Sequence, residues 1–516
     1  MTSTRPRLFT MDSLAASTLW LVGGKTVAFV VAFALPLLLV RRLSQTEFGL
    51  YKQVFLLVGS ALAILPLGFV MSAFYFLPRR PAERARIAFN ILLYHVAVGV
   101  LAALVLLVQP TLLQALFHDP SLVALARPIA IVVFLMVGFS FLELLALANC
   151  DVRAATLVIV LTNLSKTVLL LGAAVLFASV EALVYAAGVQ GLLQAALVLW
   201  YLRARFPGVW QGGHLKLVWA QAAYAVPLGS AAILSMVQVD LHFYFVAHYF
   251  DAATYAVYAI GCFQLPFLSI LSESVGSVMI PAISRLQLEA RPDEIVRLTA
   301  RLMRALAVLY FPLYVFLLVS GREFITVLFT TRYLDSWPIF ALNLTLIPLG
   351  ILSSASDPVL RAYPQFTGRL LKLRLALLAA LVPALWAVTS HGWLLGAIAV
   401  VVGVNIADRV VLSAVLGRAL GVTWRDLGLL RDIGKVAVAA VTAGLGTRLL
   451  HGLMAGHAPL LVLGASAVVF GAVYVLSVLL LGVVTAEERH RIRRRTRNLL
   501  GRAGIGGGAP AAVEAR

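Results

Sequence analysis

Five basic side chains stand where an apolar chain should have none. Lys25 lies in WLVGGKTVAF, Arg41, Arg42 and Lys52 follow in the next stretch, and Lys166 lies in LTNLSKTVLLL. A Lys or Arg at the centre of a membrane helix costs about 2.5–3.5 kcal/mol on insertion scales unless it faces water or a partner. Ammonium and guanidinium groups hold phosphate oxygens through charge-assisted hydrogen bonds, so a phosphate-binding cleft accounts for that cost. Gly23 and Gly24 soften the helix before Lys25 and let backbone approach a bound group. Arg41, Arg42 and Lys52 are equally placed to snorkel toward an interface, for which Lys25 is too deep. Thr162, Asn163, Ser165 and Thr167 around Lys166 suggest a wet face.

The carboxylates are fewer. Asp240 lies in SMVQVDLHFYF with Gln238 and His242, a set that suits a proton or a sugar hydroxyl. Asp240 also suits a counter-ion for Lys25 or Lys166. Glu273, flanked by Ser272, Ser274 and Ser277, suits a gate or a coupling-ion site. Glu143 and the adjacent Asp408 and Arg409 fit structural ion pairs, Arg127 fits snorkelling as well as function, and His95 fits a satisfied core histidine.

These residues must be positioned by helices in a membrane. The chain has 516 residues, 62% hydrophobic and 12% charged, with mean hydropathy +0.98. Soluble domains carry about 25% charge. About 20 apolar residues span a bilayer core, and fourteen such stretches occur: 14–40, 51–77, 86–108, 121–147, 154–177, 181–202, 217–245, 254–280, 302–320, 337–357, 370–390, 393–417, 433–450 and 458–484. The expected fold is therefore an all-α polytopic membrane protein of about 14 transmembrane helices, with no room for a soluble domain.

The net charge of +19 follows the positive-inside pattern rather than a nucleic-acid partner. Of 41 Lys and Arg, 31 fall on the side that holds both termini and 6 on the other, which places both termini in the cytoplasm. Sliding the chain on itself by about 206 residues brings Arg79 onto Arg285, and by 207 brings Tyr51 onto Tyr258. The expected domains are an N-terminal lobe 1–203, a C-terminal lobe 204–417, helices 13 and 14 in 418–484, and a basic cytoplasmic tail 485–516. The two six-helix lobes form a cleft that permits alternating access. Pro36, Pro66, Pro227 and Pro266 are expected to interrupt spans 1, 2, 7 and 8, at matching places in the two lobes. The tail, with RHRIRRRTRNLL, reads as a basic amphipathic helix on anionic lipid or a partner-binding segment.

Several classes are excluded. There is no P-loop, HExxH, CxxC or nucleophile elbow, so no enzyme activity, cofactor or metal site is expected. Cys150 and Cys262 are isolated within apolar sequence and imply no disulfide framework. The sequons at Asn163 and Asn343 fall inside spans, and no cleavable signal is expected at the N-terminus.

Residues 43–58, LSQTEFGLYKQVFLLV, resemble the stretch after the first helix of the Wzx-type polysaccharide flippases, a branch of the multidrug/oligosaccharidyl-lipid/polysaccharide exporter superfamily. YAVPLGSAAILSMVQVD at 224–240 is similar to the seventh helix of that branch, and HYFDAATYAVY to the turn that follows it. The resemblance extends over nearly the whole chain through the span count, the repeat and the two C-terminal helices. It implies translocation of undecaprenyl-diphosphate-linked oligosaccharide across the bacterial inner membrane for surface polysaccharide or lipopolysaccharide. Lys25, Arg42 and Lys52 match the cationic cavity expected for the diphosphate, and Lys166, Asp240 and His242 join them as substrate-binding candidates. Glu273 and Asp240 are the coupling or gating candidates. The implied partners are the lipid-linked oligosaccharide, membrane lipids, H+ or Na+ as coupling ion, and other polysaccharide-assembly proteins. The alternative is a cation-coupled multidrug exporter of the same fold, which calls for carboxylates in the first lobe, where Glu143 alone lies well inside a span.

Overall fold

Lipid offers no hydrogen-bond partners, so a chain of this composition must satisfy its backbone internally. The computed structural model describes residues 11–117, 119–454 and 456–483, and all regular structure among them is helical. Thirteen described stretches are long and apolar enough to cross a membrane. The 35-residue helix Leu215–Tyr249 stands in addition to them, in agreement with about fourteen spans. The basic tail from Thr485 lies outside the described residues.

The helices that matter for the site are α1 (Met11–Arg42), α2 (Gln45–Ile64), α3 (Ser72–Arg79), α4 (Leu142–Ala148), α5 (Val152–Leu176), α6 (Val180–Arg205), α7 (Leu215–Tyr249), α8 (Ala252–Gly261), α9 (Pro266–Leu288) and α10 (Pro292–Phe329). The chain divides into two compact units. The first comprises residues up to 264 with 328–343 and 371–404, and the second 265–327, 344–370 and the described chain from 405. Phe69, Ile91, Tyr201 and Phe206 belong to the core of the first. The second has cores around Ile283 and Leu416 and around Val315 and Phe470.

Two helix starts carry the repeat. Ser44 caps α2 by accepting from the Glu47 backbone N–H at 3.1 Å. Asp251, 207 positions on, caps α8 by accepting from the Thr254 N–H at 2.7 Å. The spacing of Ser44 and Glu47 is that of a capping box, but the Glu47 carboxylate accepts from the Val180 N–H at the start of α6 instead. There it meets the positive end of that helix's dipole. Helices α2 and α8 pack against each other. A Cβ on Gly49 would lie 1.7 Å from the Ala252 carbonyl oxygen, so this crossing admits only glycine.

The four prolines behave differently from one another. Helices α1 and α7 run on through Pro36 and Pro227. The chain breaks after α2, where Leu67 and Gly68 take φ of 47° and 65° and a short 3-10 turn leads into α3. It breaks again between α8 and α9, at the point where it passes from the first unit to the second. Proline alone does not decide the outcome, because a membrane helix can re-satisfy a freed carbonyl through neighbouring groups. At Pro66 the break is fixed by close backbone contact: a Cβ on Gly229 of α7 would lie 2.0 Å from the Leu67 carbonyl oxygen.

Linkers read as loops are also shorter than expected. Helix α9 runs to Leu288 and α10 starts at Pro292, inside the stretch 281–301 expected to link two spans. The other long linker, 321–336, is helical to Phe329 and then a 3-10 segment, Thr331–Ser336. Once a helix leaves the apolar layer its backbone bonds still hold, so loss of hydropathy does not end it.

Candidate functional site

Lys52 lies seven residues into α2 and Lys166 lies past the middle of α5. The two ammonium groups are near enough to act on each other electrostatically. Both belong to the first unit and both are partly buried. Lys52 Nζ sits 5.6 Å from the Phe48 ring centroid, and Lys166 Nζ sits 5.7 Å from that of Phe55. Phe48 and Phe55 are four residues before and three after Lys52, so one face of α2 carries all three groups.

Magnitudes decide what this pair is for. A cation over an aromatic face gains about 0.5–1 kcal/mol at accessible sites. That does not offset the roughly 2.5–3.5 kcal/mol of a membrane-embedded Lys, and like-charge repulsion adds to the deficit. Neither lysine has a carboxylate within ion-pair distance among the described residues. Two adjacent cations without counter-charge suit an anion with several oxygens, and a diphosphate has that form.

The polar residues around Lys166 do not need water. Thr162, Asn163 and Ser165 donate to the carbonyls of Val158, Ile159 and Leu161, one turn back on α5. The wet face expected there thus reduces to Lys166 and Thr167. Gln53, beside Lys52, was not singled out in the sequence. It is fully buried, and neither its Nε2 nor its Oε1 has a partner among the described residues. The signal was present as a second polar residue in LYKQVF, masked by the charge before it.

The remaining basic candidates have other neighbours. Lys25 pairs with Glu143 of α4 at 3.9 Å, with side chains 58% and 38% exposed. Glu143 therefore serves a cation within the span, rather than one at the surface. Arg41 donates to the Leu328 carbonyl at 2.7 Å, and Arg332 donates to the carbonyls of Val40 and Leu43 at 3.0 and 3.3 Å. The Arg332 bonds satisfy open carbonyls at the C-terminal end of α1. Arg42 is exposed and has no ion pair among the described residues.

The acidic candidates separate as well. Asp240 is partly buried on α7, near Tyr244 and Tyr255, with no ion pair among the described residues. His242 is buried, and its Nδ1 lies 2.8 Å from the Tyr258 hydroxyl. Glu273 is exposed on α9 of the second unit, also without an ion pair among the described residues. Its neighbour Ser272 lies 3.1 Å from Ser354 Oγ. Asp408 and Arg409 form the ion pair expected of them at 3.6 Å, extended to Asp357 at 3.9 Å.

The family model for polysaccharide biosynthesis proteins matches residues 38–338, more than half of the chain, and both site helices fall inside that range. The chain belongs to this family. Among solved structures, this family member is similar to the lipid II flippase MurJ in an inward closed conformation, with TM-score 0.65 and 12% identity over 90% of this chain and 99% of that one. It is similar to a transporter of the MOP superfamily from Pyrococcus furiosus, titled for the reverse polarity of its binding pocket, with TM-score 0.53 and 15% identity over 80% and 96%. An inward-facing multidrug resistance MATE transporter of that superfamily gives TM-score 0.54 and 14% identity over 80% and 96%. No curated protein matches the chain. Identities this low show the fold alone, and that fold and the family model together agree with the resemblance read at residues 43–58 and 224–240.

Proposed function

We propose that this protein translocates undecaprenyl-diphosphate-linked oligosaccharide across the bacterial inner membrane for surface polysaccharide biosynthesis, by alternating access. The observation that carries the reading is the Lys52 and Lys166 pair: two cations in the spans, acting on each other, without a carboxylate. Membership of the polysaccharide biosynthesis family and likeness to a lipid II flippase support it. Lys52 and Lys166 hold the diphosphate. Arg42 and Lys25 add to the attraction, Lys25 once the diphosphate competes with Glu143.

Residues 1–203 and 204–417 serve as the two lobes, with 418–484 appended and both termini cytoplasmic. Asp240 and Glu273 carry the coupling H+ or Na+ or act as gates. His242, bonded to Tyr258, holds its helix rather than touching sugar. The exporter alternative is disfavoured by Glu143, the carboxylate it would use, which is already paired with Lys25.

The test is complementation. A strain lacking this protein, supplied with Lys166→Ala, is expected to lose surface polysaccharide while the protein stays in the membrane at normal level. Normal polysaccharide in that strain would overturn the assignment.

A further inference from the structure

A second cluster of cations lies in the other unit, at the hairpin of α9 and α10. A groove of about 760 Å³ opens between the last turns of α9, with Val278, Pro281, Arg285 and Leu286, and the first turns of α10, with Arg297 and Arg301. That size falls in the roughly 300–1,000 Å³ range of small-molecule sites. Three guanidinium groups line it against one carboxylate, Glu294.

Three of the carboxylates nearby are already engaged, while Asp293 in the first turn of α10 has no ion pair among the described residues. Glu294 accepts from Arg291. Glu289 holds Arg285 at 3.4 Å and Arg291 at 3.2 Å. Asp426, whose charge is felt by Arg297, accepts from the Thr423 N–H and hydroxyl, each at 2.8 Å. Arg297 and Arg301 have no carboxylate within ion-pair distance among the described residues. They stand one turn apart on the same helix face, where like charges repel. An anion between them removes that penalty.

The level of the groove indicates which anion. Helix α10 kinks at Ser320, and its part before the kink runs about 42 Å at 1.5 Å per residue, against a hydrocarbon core of about 30 Å. Its first turns therefore lie at the headgroup layer, as does Arg285 in the last turn of α9. The groove wall is apolar at Val278, 71% exposed, and Leu288 beyond it is 82% exposed. A soluble anion has no use for that surface, whereas an acyl chain does.

We propose that the α9–α10 groove is a binding site for an anionic membrane phospholipid, with its phosphate between Arg297, Arg301 and Arg285 and an acyl chain along Val278. The site is separate from the Lys52 and Lys166 pair, and it does not depend on the substrate assigned above. Phosphate is shared by three sources: a membrane phospholipid, free phosphate and a lipid-linked diphosphate.

Delipidated protein in neutral detergent is titrated with phosphatidylglycerol, phosphatidylcholine, inorganic phosphate or undecaprenyl diphosphate, and retained molecules are counted by native mass spectrometry. Wild type is expected to retain phosphatidylglycerol over phosphatidylcholine, and Arg297→Gln/Arg301→Gln to bind it about thirtyfold more weakly. Arg301→Gln alone should fall between the two, and Arg322→Gln should match wild type. Unchanged binding in both Arg301 variants, or equal retention of phosphatidylcholine, overturns the proposal. Displacement by millimolar inorganic phosphate identifies a free-anion site instead. Preferential retention of undecaprenyl diphosphate in this groove assigns it to the substrate. The single variant and thermal melting of each protein separate loss of the site from loss of the fold.

Discussion

Helices α2 and α8 begin alike and end with different chemistry. Each starts with a side-chain cap, Ser44 in one and Asp251 in the other, and each buries a tyrosine seven residues later, Tyr51 and Tyr258. The next residue is Lys52 in α2 and Ala259 in α8. Lys52 shares its face of α2 with Phe55, over which Lys166 lies, while Tyr258 is joined by His242. Capping and packing are thus repeated, and the charge is not. A repeated scaffold with one cationic copy is what a carrier needs if a single diphosphate is gripped once and released. The acidic groups Asp240 and Glu273 lie on α7 and α9, without ion pairs among the described residues.

The contrast is broken most severely by removing the cations. Lys52→Ala/Lys166→Ala loses two charge-assisted contacts of about 1.5–3 kcal/mol each, so apparent substrate affinity should fall by about 10²–10⁴-fold. Binding of undecaprenyl diphosphate to purified protein checks this, and a change of a few-fold contradicts it. Placing Lys at the mate position, Ala259→Lys in the Lys52→Ala background, should not restore binding. Restoration would mean that either copy can hold the anion.

The next effect is on packing. Gly49→Ala puts a methyl group on the Ala252 carbonyl oxygen, and neither backbone can yield cheaply. Overpacking of this kind costs about 1–3 kcal/mol or more. The mate substitution, Ala256→Gly, opens no clash and costs about 0.5–1 kcal/mol through helix propensity. Thermal melting in detergent should therefore drop further for Gly49→Ala, and the reverse order would remove the packing account of the α2–α8 crossing.

Lys25→Ala should act less than the Lys52 and Lys166 variants, because Lys25 already has a counter-charge in Glu143. Transport is expected to fall by less than about tenfold, as for a half-exposed pair worth roughly 1 kcal/mol or less. Loss equal to that of Lys166→Ala would return Lys25 to the centre of the site.

The smallest effect lies outside both helices. Hydrogen bonds from the Thr423 N–H and hydroxyl, helped by Arg297, hold the Asp426 carboxyl below its ordinary value. A depressed folded-state pKa contributes stability that is present above the unfolded value, near 3.8. That contribution is lost as pH falls through the lower folded value. Asp426→Asn should flatten the acid limb of a melting curve there and leave neutral pH nearly unchanged. An altered melt at neutral pH would point to another role.

The sequence made some of this plain and hid the rest for identifiable reasons. Helical spans and their number follow from hydropathy, which responds to the bilayer and to little else. Lys52 and Lys166 were visible as charges in apolar runs, but the approach of Lys166 to Phe55, three residues after Lys52, joins residues over a hundred positions apart and is set only by the tertiary structure. The pairing of Lys25 with Glu143 was hidden in the same way. Pro36, Pro66, Pro227 and Pro266 look equivalent in the chain, yet only the breaks at Pro66 and Pro266 form, and the first depends on Gly229 from a distant helix. Gln53 is inconspicuous in the sequence because it stands beside the charged Lys52.

The most direct test of the central claim is translocation of a fluorescent undecaprenyl-diphosphate oligosaccharide in proteoliposomes, comparing wild type, Lys52→Ala, Lys166→Ala and Ala259→Lys. Transport by wild type and by Ala259→Lys, with loss in both lysine variants, is the predicted result. Equal transport in all four proteins would contradict the assignment of the diphosphate to Lys52 and Lys166.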